Sequence, residues 1–199
     1  IAGFVGSGNY EMGQKMIHSI RYRGPDNQGV YFNGNVCLCH ARLSIIDLSL
    51  NANQPMFSHD KSAAIVFNGE IYNFKELKSE LERSGKYNFS TTSDTEVMLC
   101  LYQEHGHHML ELIHGMFAFA IYDFNSGDLF VARDRMGKKP LYYSVCDNGT
   151  FVFASELKAV LQHNAVKREL NLNALNQYLT FDYIPTPATI NNGVYKLEP

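Results

Sequence analysis

The stretch Ala63-Ala64-Ile65-Val66-Phe67-Asn68-Gly69-Glu70-Ile71-Tyr72-Asn73 begins as an unbroken apolar run rich in β-formers and is stopped by Asn-Gly. That is the pattern of a buried strand. It ends as a helix start, with Asn73 as the expected N-cap and Glu76 three residues later to close a capping box. Between the two lie a carboxamide, a glycine whose N–H no side chain shields, and a carboxylate. A strand end that faces a helix start is a place where fixed polar groups converge on a ligand. Asn68 and the Gly69 N–H have the makings of a two-donor oxyanion hole, with Glu70 beside it. Asn-Gly is equally ordinary turn chemistry, so the remainder of the chain has to decide.

Upstream, Val30 to Phe32 and Val36 to Ala41 read as strands around Asn33-Gly34, a two-residue hairpin signal. His40-Ala41-Arg42-Leu43-Ser44-Ile45-Ile46-Asp47 follows, with an arginine inside a mostly apolar run. Burying it requires a partner, either a structural acid or a substrate carboxylate gripped by the guanidinium fork. Tyr10 to Ile20 carries Met12, Met16, Ile17 and Ile20 at helical spacing, and Gly24-Pro25 marks a loop before Asp26. Ile1 to Val5 reads as a strand.

Downstream, Phe74, Leu77 and Leu81 form an apolar helical stripe that Gly85 terminates. Thr91 to Glu96 is a dense cap cluster in which Asp94 can serve as N-cap. From Gly115 onward a β-meander is expected: Met116 to Phe124, Leu129 to Arg133, Leu141 to Val145 and Phe151 to Ala154. Ser155 is placed as the cap of a short helix through Leu161, and another helix near Asn173 to Leu179. The tail from Asp182 holds Pro185, Pro187 and Pro199 and no repeated apolar face. Short helices among antiparallel strands imply an α+β fold with packed sheets.

The chain has 199 residues, 45% apolar and 19% charged, with a net charge of −3. One domain is the default, and scattered Lys and Arg give no reason to expect nucleic acid. No apolar run approaches the ~20 residues of a membrane span, and no signal peptide is expected. Cys37, Cys39, Cys100 and Cys146 read as reduced thiols of a cytoplasmic protein. Cys37-x-Cys39-His40 is at most half a metal site, and no second half follows at suitable spacing.

These segments together resemble a known family. His40 to Asp47, Phe67 to Asn73, Ser93-Asp94-Thr95-Glu96, Arg23-Gly24-Pro25-Asp26, Gly115 to Ala120, Arg133-Asp134-Arg135 through Tyr143, and Phe153 to Ala159 carry the likeness. The chain is similar to the glutaminase (class II glutamine amidotransferase) domain of glutamine-hydrolysing asparagine synthetase. The resemblance implies an N-terminal-nucleophile type four-layer α/β/β/α sandwich of two antiparallel sheets over residues 1–199, with 170–199 leading toward an ATP-dependent synthetase domain. It further implies that Arg42 clamps the α-carboxylate of glutamine and that main-chain groups of Leu43, Ser44, Ile45 and Ile46 shape the wall. Glu70 and Asp94 would hold the α-ammonium, and Asn68 with the Gly69 N–H the oxyanion. Arg23 and Asp26 would support the centre.

In that family Cys-Gly immediately precedes a segment like Ile1-Ala2-Gly3-Phe4-Val5-Gly6, and the Cys is the nucleophile, its own α-amine acting as base. The expectation is therefore a catalytic Cys upstream of Ile1, absent from these residues, and none of the four cysteines present takes its place. The family implies no cofactor in this domain, ATP and Mg in the synthetase domain, and a possible homodimer. Two alternatives stand beside asparagine synthesis: an amidotransferase domain acting on a sugar or secondary metabolite, and a glutamine-binding module without a nucleophile.

Overall fold

The computed structural model describes residues 1–199. In chain order it has β1 (Ala2–Val5), α1 (Tyr10–Ser19), β2 (Asn27–Asn33), β3 (Val36–Arg42), β4 (Met56–Phe57) and β5 (Ala63–Ile71). Then come α2 (Phe74–Arg83), α3 (Asp94–His105), α4 (Met109–Leu112), β6 (Gly115–Asp123), β7 (Leu129–Arg133), β8 (Tyr142–Val145) and β9 (Phe151–Ala154). α5 (Leu157–Val160), α6 (Leu172–Phe181) and β10 (Tyr195–Lys196) complete it.

The strands form two sheets, ordered β10-β8-β9-β1-β3-β2 and β4-β5-β6-β7, and every pairing is antiparallel. Alternation along each strand sorts side chains into layers. Ile1, Val36, Leu38, Ala64, Val66, Ala118 and Ala120 meet between the sheets. Ala2, Phe4, Cys37 and Cys39 turn the other way, onto Met16 and Ile17 of α1. On the far side Ile65, Phe67 and Phe119 pack under Leu77 and Leu81 of α2 and Val97, Met98 and Leu101 of α3. The result is the four-layer α/β/β/α sandwich. α1 is seated closely because residue 13 is glycine: a Cβ there would lie 2.4 Å from Cys37 Sγ.

Local expectations were met unevenly. Asn73 flanks α2 but makes no cap, and no capping box with Glu76 forms. Its amide instead spans to the next segment, donating to the Leu112 carbonyl and accepting from His114 N–H, both at 2.9 Å. Ser93, not Asp94, caps α3 by accepting from Thr95 N–H. Ser155 does not cap α5; its Oγ accepts from the Ile1 nitrogen at 3.0 Å. The four strands after Gly115 are not one meander, because β6 and β7 join one sheet and β8 and β9 the other. The tail returns as β10 to the edge of β8.

The crossing between sheets after β7 is organised by Asp134, which is 2% exposed. Its carboxylate accepts main-chain N–H bonds from Phe117, Met136, Lys138 and Lys139 at 2.9–3.2 Å. Burial pushes its pKa up, but these donors outweigh that, and the pKa lies below its ordinary value. Asp134→Ala strands several buried N–H groups and should cost about 3 kcal/mol in a urea titration. Because the folded-state pKa is depressed, the wild-type advantage should be full above pH ~4 and fade as pH falls through the folded value.

Candidate active site

The site is built on the outer edge of β5. Its even-numbered residues hydrogen-bond across to β6, as the continuation Tyr72 N–H to the His114 carbonyl shows. The odd-numbered N–H groups therefore point to the opposite edge. There β4 pairs only with Ala64 and Ile65. Beyond it, side chains take over: Phe67 N–H donates to Gln54 Oε1 at 2.6 Å and Ile71 N–H to Asp94 Oδ2 at 3.1 Å. Between these two capped donors lies Gly69 N–H, with no strand beside it. Gly69 also lets β6 approach closely, since a Cβ would lie 2.2 Å from the Met116 carbonyl oxygen.

The edge opens into a cleft of about 260 Å³. Of the residues picked out from sequence, Arg42, Leu43, Ile45, Ile46, Asn68, Gly69 and Asp94 line it together. Ser44 and Glu70 do not. Ser44 turns its N–H to Asp26 Oδ2 at 2.7 Å, and Glu70 is exposed outside the lining.

Arg42 is 6% exposed at the end of β3. Nη1 donates to the Ser49 carbonyl at 2.8 Å and to Asn53 Oδ1 at 2.7 Å, and Nη2 donates to the Asp47 carbonyl. The guanidinium thus holds the following loop from beneath, and Nε with one Nη2 proton is left for a ligand. Asp47 fixes the same loop from outside by accepting from Thr92 N–H at 2.8 Å and Ser49 N–H at 2.8 Å. Asp94 is 4% exposed, and burial raises its carboxyl pKa. The Ile71 and Thr95 N–H groups oppose the shift, and the charge of Glu70 adds to it.

Gln54, His40, Arg23 and Lys139 also line the cleft and were not singled out as binding residues from sequence. Gln54 is the most informative: besides accepting from Phe67 N–H, its Nε2 donates to Thr95 Oγ1 at 3.2 Å. One amide therefore ties β5 to the start of α3. Its signal in sequence is only Gln-Pro, which reads as a turn. Arg23 pairs with Glu156 Oε1 at 2.9 Å. No cysteine lines the cleft. Cys37 and Cys39 lie 3.5 Å apart, Sγ to Sγ, facing α1, while His40 faces the other way, so the three do not converge. No group of three or more His, Cys, Asp or Glu side chains is arranged to hold a metal ion.

A family model described as a glutamine amidotransferase domain matches residues 1–199. The chain is 42% identical to asparagine synthetase [glutamine-hydrolyzing] 1 of Bacillus subtilis, over 95% of this chain and 29% of that protein. It is 43% identical to asparagine synthetase B [glutamine-hydrolyzing] of Escherichia coli, over 71% of this chain and 25% of the relative. The chain thus spans less than a third of these relatives' length. A solved structure of glutamine phosphoribosylpyrophosphate amidotransferase from B. subtilis superposes with a TM-score of 0.69 at 24% identity, covering 79% of this chain and 42% of that one. It shares the fold.

The clamp made by Gln54 can be tested without any ligand. Gln54→Leu leaves Phe67 N–H buried without an acceptor and should cost about 2 kcal/mol. Gln54→Glu keeps that acceptor and should recover at least half of the loss in the same denaturant titration.

Proposed function

The chain belongs to the glutamine amidotransferase domain family, and on that footing we propose that it releases ammonia from glutamine for the amidation of aspartate in an asparagine synthetase-type enzyme. The observation that carries the reading is the unclaimed Gly69 N–H beside Asn68, in one cleft with Arg42 and Asp94. A free amino acid is a zwitterion, so its site needs a fixed cation and a fixed anion at opposite ends. Arg42 offers its remaining donors to the α-carboxylate. Asp94 offers its free oxygen to the α-ammonium, with Glu70 adding negative charge at the rim. The side-chain amide then lies toward Asn68 and Gly69, two donors for the oxygen that becomes charged.

We infer that the nucleophile is a cysteine two positions N-terminal to Ile1. The alternation of β1 supports this: Ile1 faces the layer between the sheets and lines the cleft, and a strand continued upstream would turn the residue two before it the same way. Its thiolate adds to the glutamine amide carbon, and the C–N bond breaks as the nitrogen leaves protonated as ammonia. Water then cleaves the thioester to give glutamate and restores the thiol. Aspartate activation, with ATP and magnesium, is assigned to the further polypeptide that the relatives carry. A cytoplasmic setting accords with four free cysteines.

Full-length protein given glutamine should release glutamate, and Asn68→Ala should lower kcat about 10²-fold. A glutamine-mimicking electrophile should label the segment preceding Ile1 in peptide mapping; label on Cys37, Cys39, Cys100 or Cys146 would overturn the assignment.

Asp94→Asn keeps an acceptor for Ile71 N–H without the buried charge, so the melting temperature should hold or rise. The KM for glutamine should rise tenfold or more. With Asp94 raised, wild-type KM should begin to climb on acidification while the pH is still above the ordinary carboxylate value of about 4.

A further inference from the structure

Two buried polar atoms in the cleft lack any partner: His40 Nδ1 and Asn68 Nδ2. Native proteins leave few such groups unpaired, and these two are complementary in kind. They also share a location. His40 follows Val36 and Leu38 on one face of β3, and Asn68 follows Ala64 and Val66 on one face of β5. Both rows point into the layer between the sheets, and both residues line the cleft. The imidazole lies near the Phe67 main chain, one residue from Asn68. Phe67 N–H is already committed to Gln54, so only its carbonyl is open to the ring. In the neutral tautomer with its proton on Nε2 the ring presents a lone pair at Nδ1, whereas Asn68 Nδ2 carries two protons.

Resting on the reading of Asn68 as an oxyanion donor, we propose that His40 is its positioning residue: in the glutamine complex His40 Nδ1 accepts one Asn68 Nδ2 proton, which aims the other at the developing oxyanion. An amide otherwise free to turn about its last bond would offer oxygen or nitrogen to the cleft. An oxygen there repels the charge that forms, so fixing the amide orientation matters to the rate. In the free protein the pair stands open, as hydrogen bonds of catalytic groups often do before substrate binds. His40 is 7% exposed, and burial drives its pKa down to about 3, so the ring stays neutral throughout the physiological range. That state suits an acceptor and is unsuited to a group that must gain a proton during turnover. The cysteines that would share a metal with it face the opposite layer.

The test is a double-mutant cycle in the full-length protein, with glutamate release as the readout. His40→Leu should lower kcat ten- to a hundredfold with KM changed less than about threefold. His40→Leu with Asn68→Ala should be no slower than Asn68→Ala alone. His40→Gln, which restores a neutral acceptor, should recover much of the loss, and it decides the matter if His40→Leu does not fold. Multiplying effects in the double mutant, or an unchanged kcat in His40→Leu, would overturn the role of His40 while leaving Asn68 in place. An unchanged kcat in Asn68→Ala would overturn the oxyanion reading itself. A near-neutral inflection in the kcat–pH profile that His40→Gln abolishes would also count against the proposal, since it would make the ring an acid or base.

Discussion

A strand edge that has run out of strand is the constraint on which this site depends. β5 is nine residues long, but its outer neighbour β4 pairs with only two of them. The N–H groups further along, at Phe67, Gly69 and Ile71, must find acceptors or stand idle. Gln54 comes from the segment after β3, and Asp94 from the first turn of α3. Satisfying one edge therefore draws together two parts of the chain that are remote in sequence. Gln54 then joins them to each other through Thr95. The gap left at Gly69 is the product of this arrangement, and it is what a carbonyl oxygen can occupy.

The second contribution is the alternation of the facing strands. Val36, Leu38, His40 and Arg42 share one face of β3, while Ala64, Val66 and Asn68 share one face of β5. The same periodicity that fills the layer between the sheets with apolar side chains delivers polar ones when composition changes toward the strand ends. The core thus grades into the cleft without a change of backbone geometry. Burying these groups is costly, and each offsets the cost differently. Arg42 sets its guanidinium against two carbonyls and an amide oxygen. His40 gives its charge up. Asp94 keeps an acceptor role but is easier to protonate than an exposed carboxylate.

The sequence was legible where a single periodicity ruled. β7 and β9 run over the residues that alternation indicates, and β5 is recognisable from its apolar run alone. It was less legible where a side chain had a choice of partners. Asn73 and Glu76 have the spacing of a capping box, yet the amide of Asn73 bridges to Leu112 and His114, a long-range option invisible in local pattern. Ser155 was taken from its capping role by Ile1 in the same way. The strands after Gly115 divide between two sheets because Asp134 draws the main chain of residues 136–139 into a tight bend, and a carboxylate that accepts main-chain donors has no spacing signature. In the site, Arg42, Asn68 and Asp94 stood out as polar residues in apolar or capping contexts. Gln54 did not, since a glutamine before proline in a polar loop looks like solvent-facing turn.

The loop over the cleft shows how polar anchoring and apolar exposure coexist. Leu43, Ile45, Leu48 and Leu50 are exposed there, so burial of these side chains does not hold the segment in shape. Its shape comes from Asp26 on Ser44 N–H, Asp47 on Thr92 N–H, and Arg42 on three acceptors beneath. All are charge-assisted bonds, the stronger kind. Arg42 consequently serves the loop and the cleft with different atoms: Nη1 is committed to the loop, and Nε remains for a ligand. A carboxylate bound at Nε would not displace the loop bonds, so under the proposed function the group that would recognise one end of an amino acid also keeps the wall around it in place.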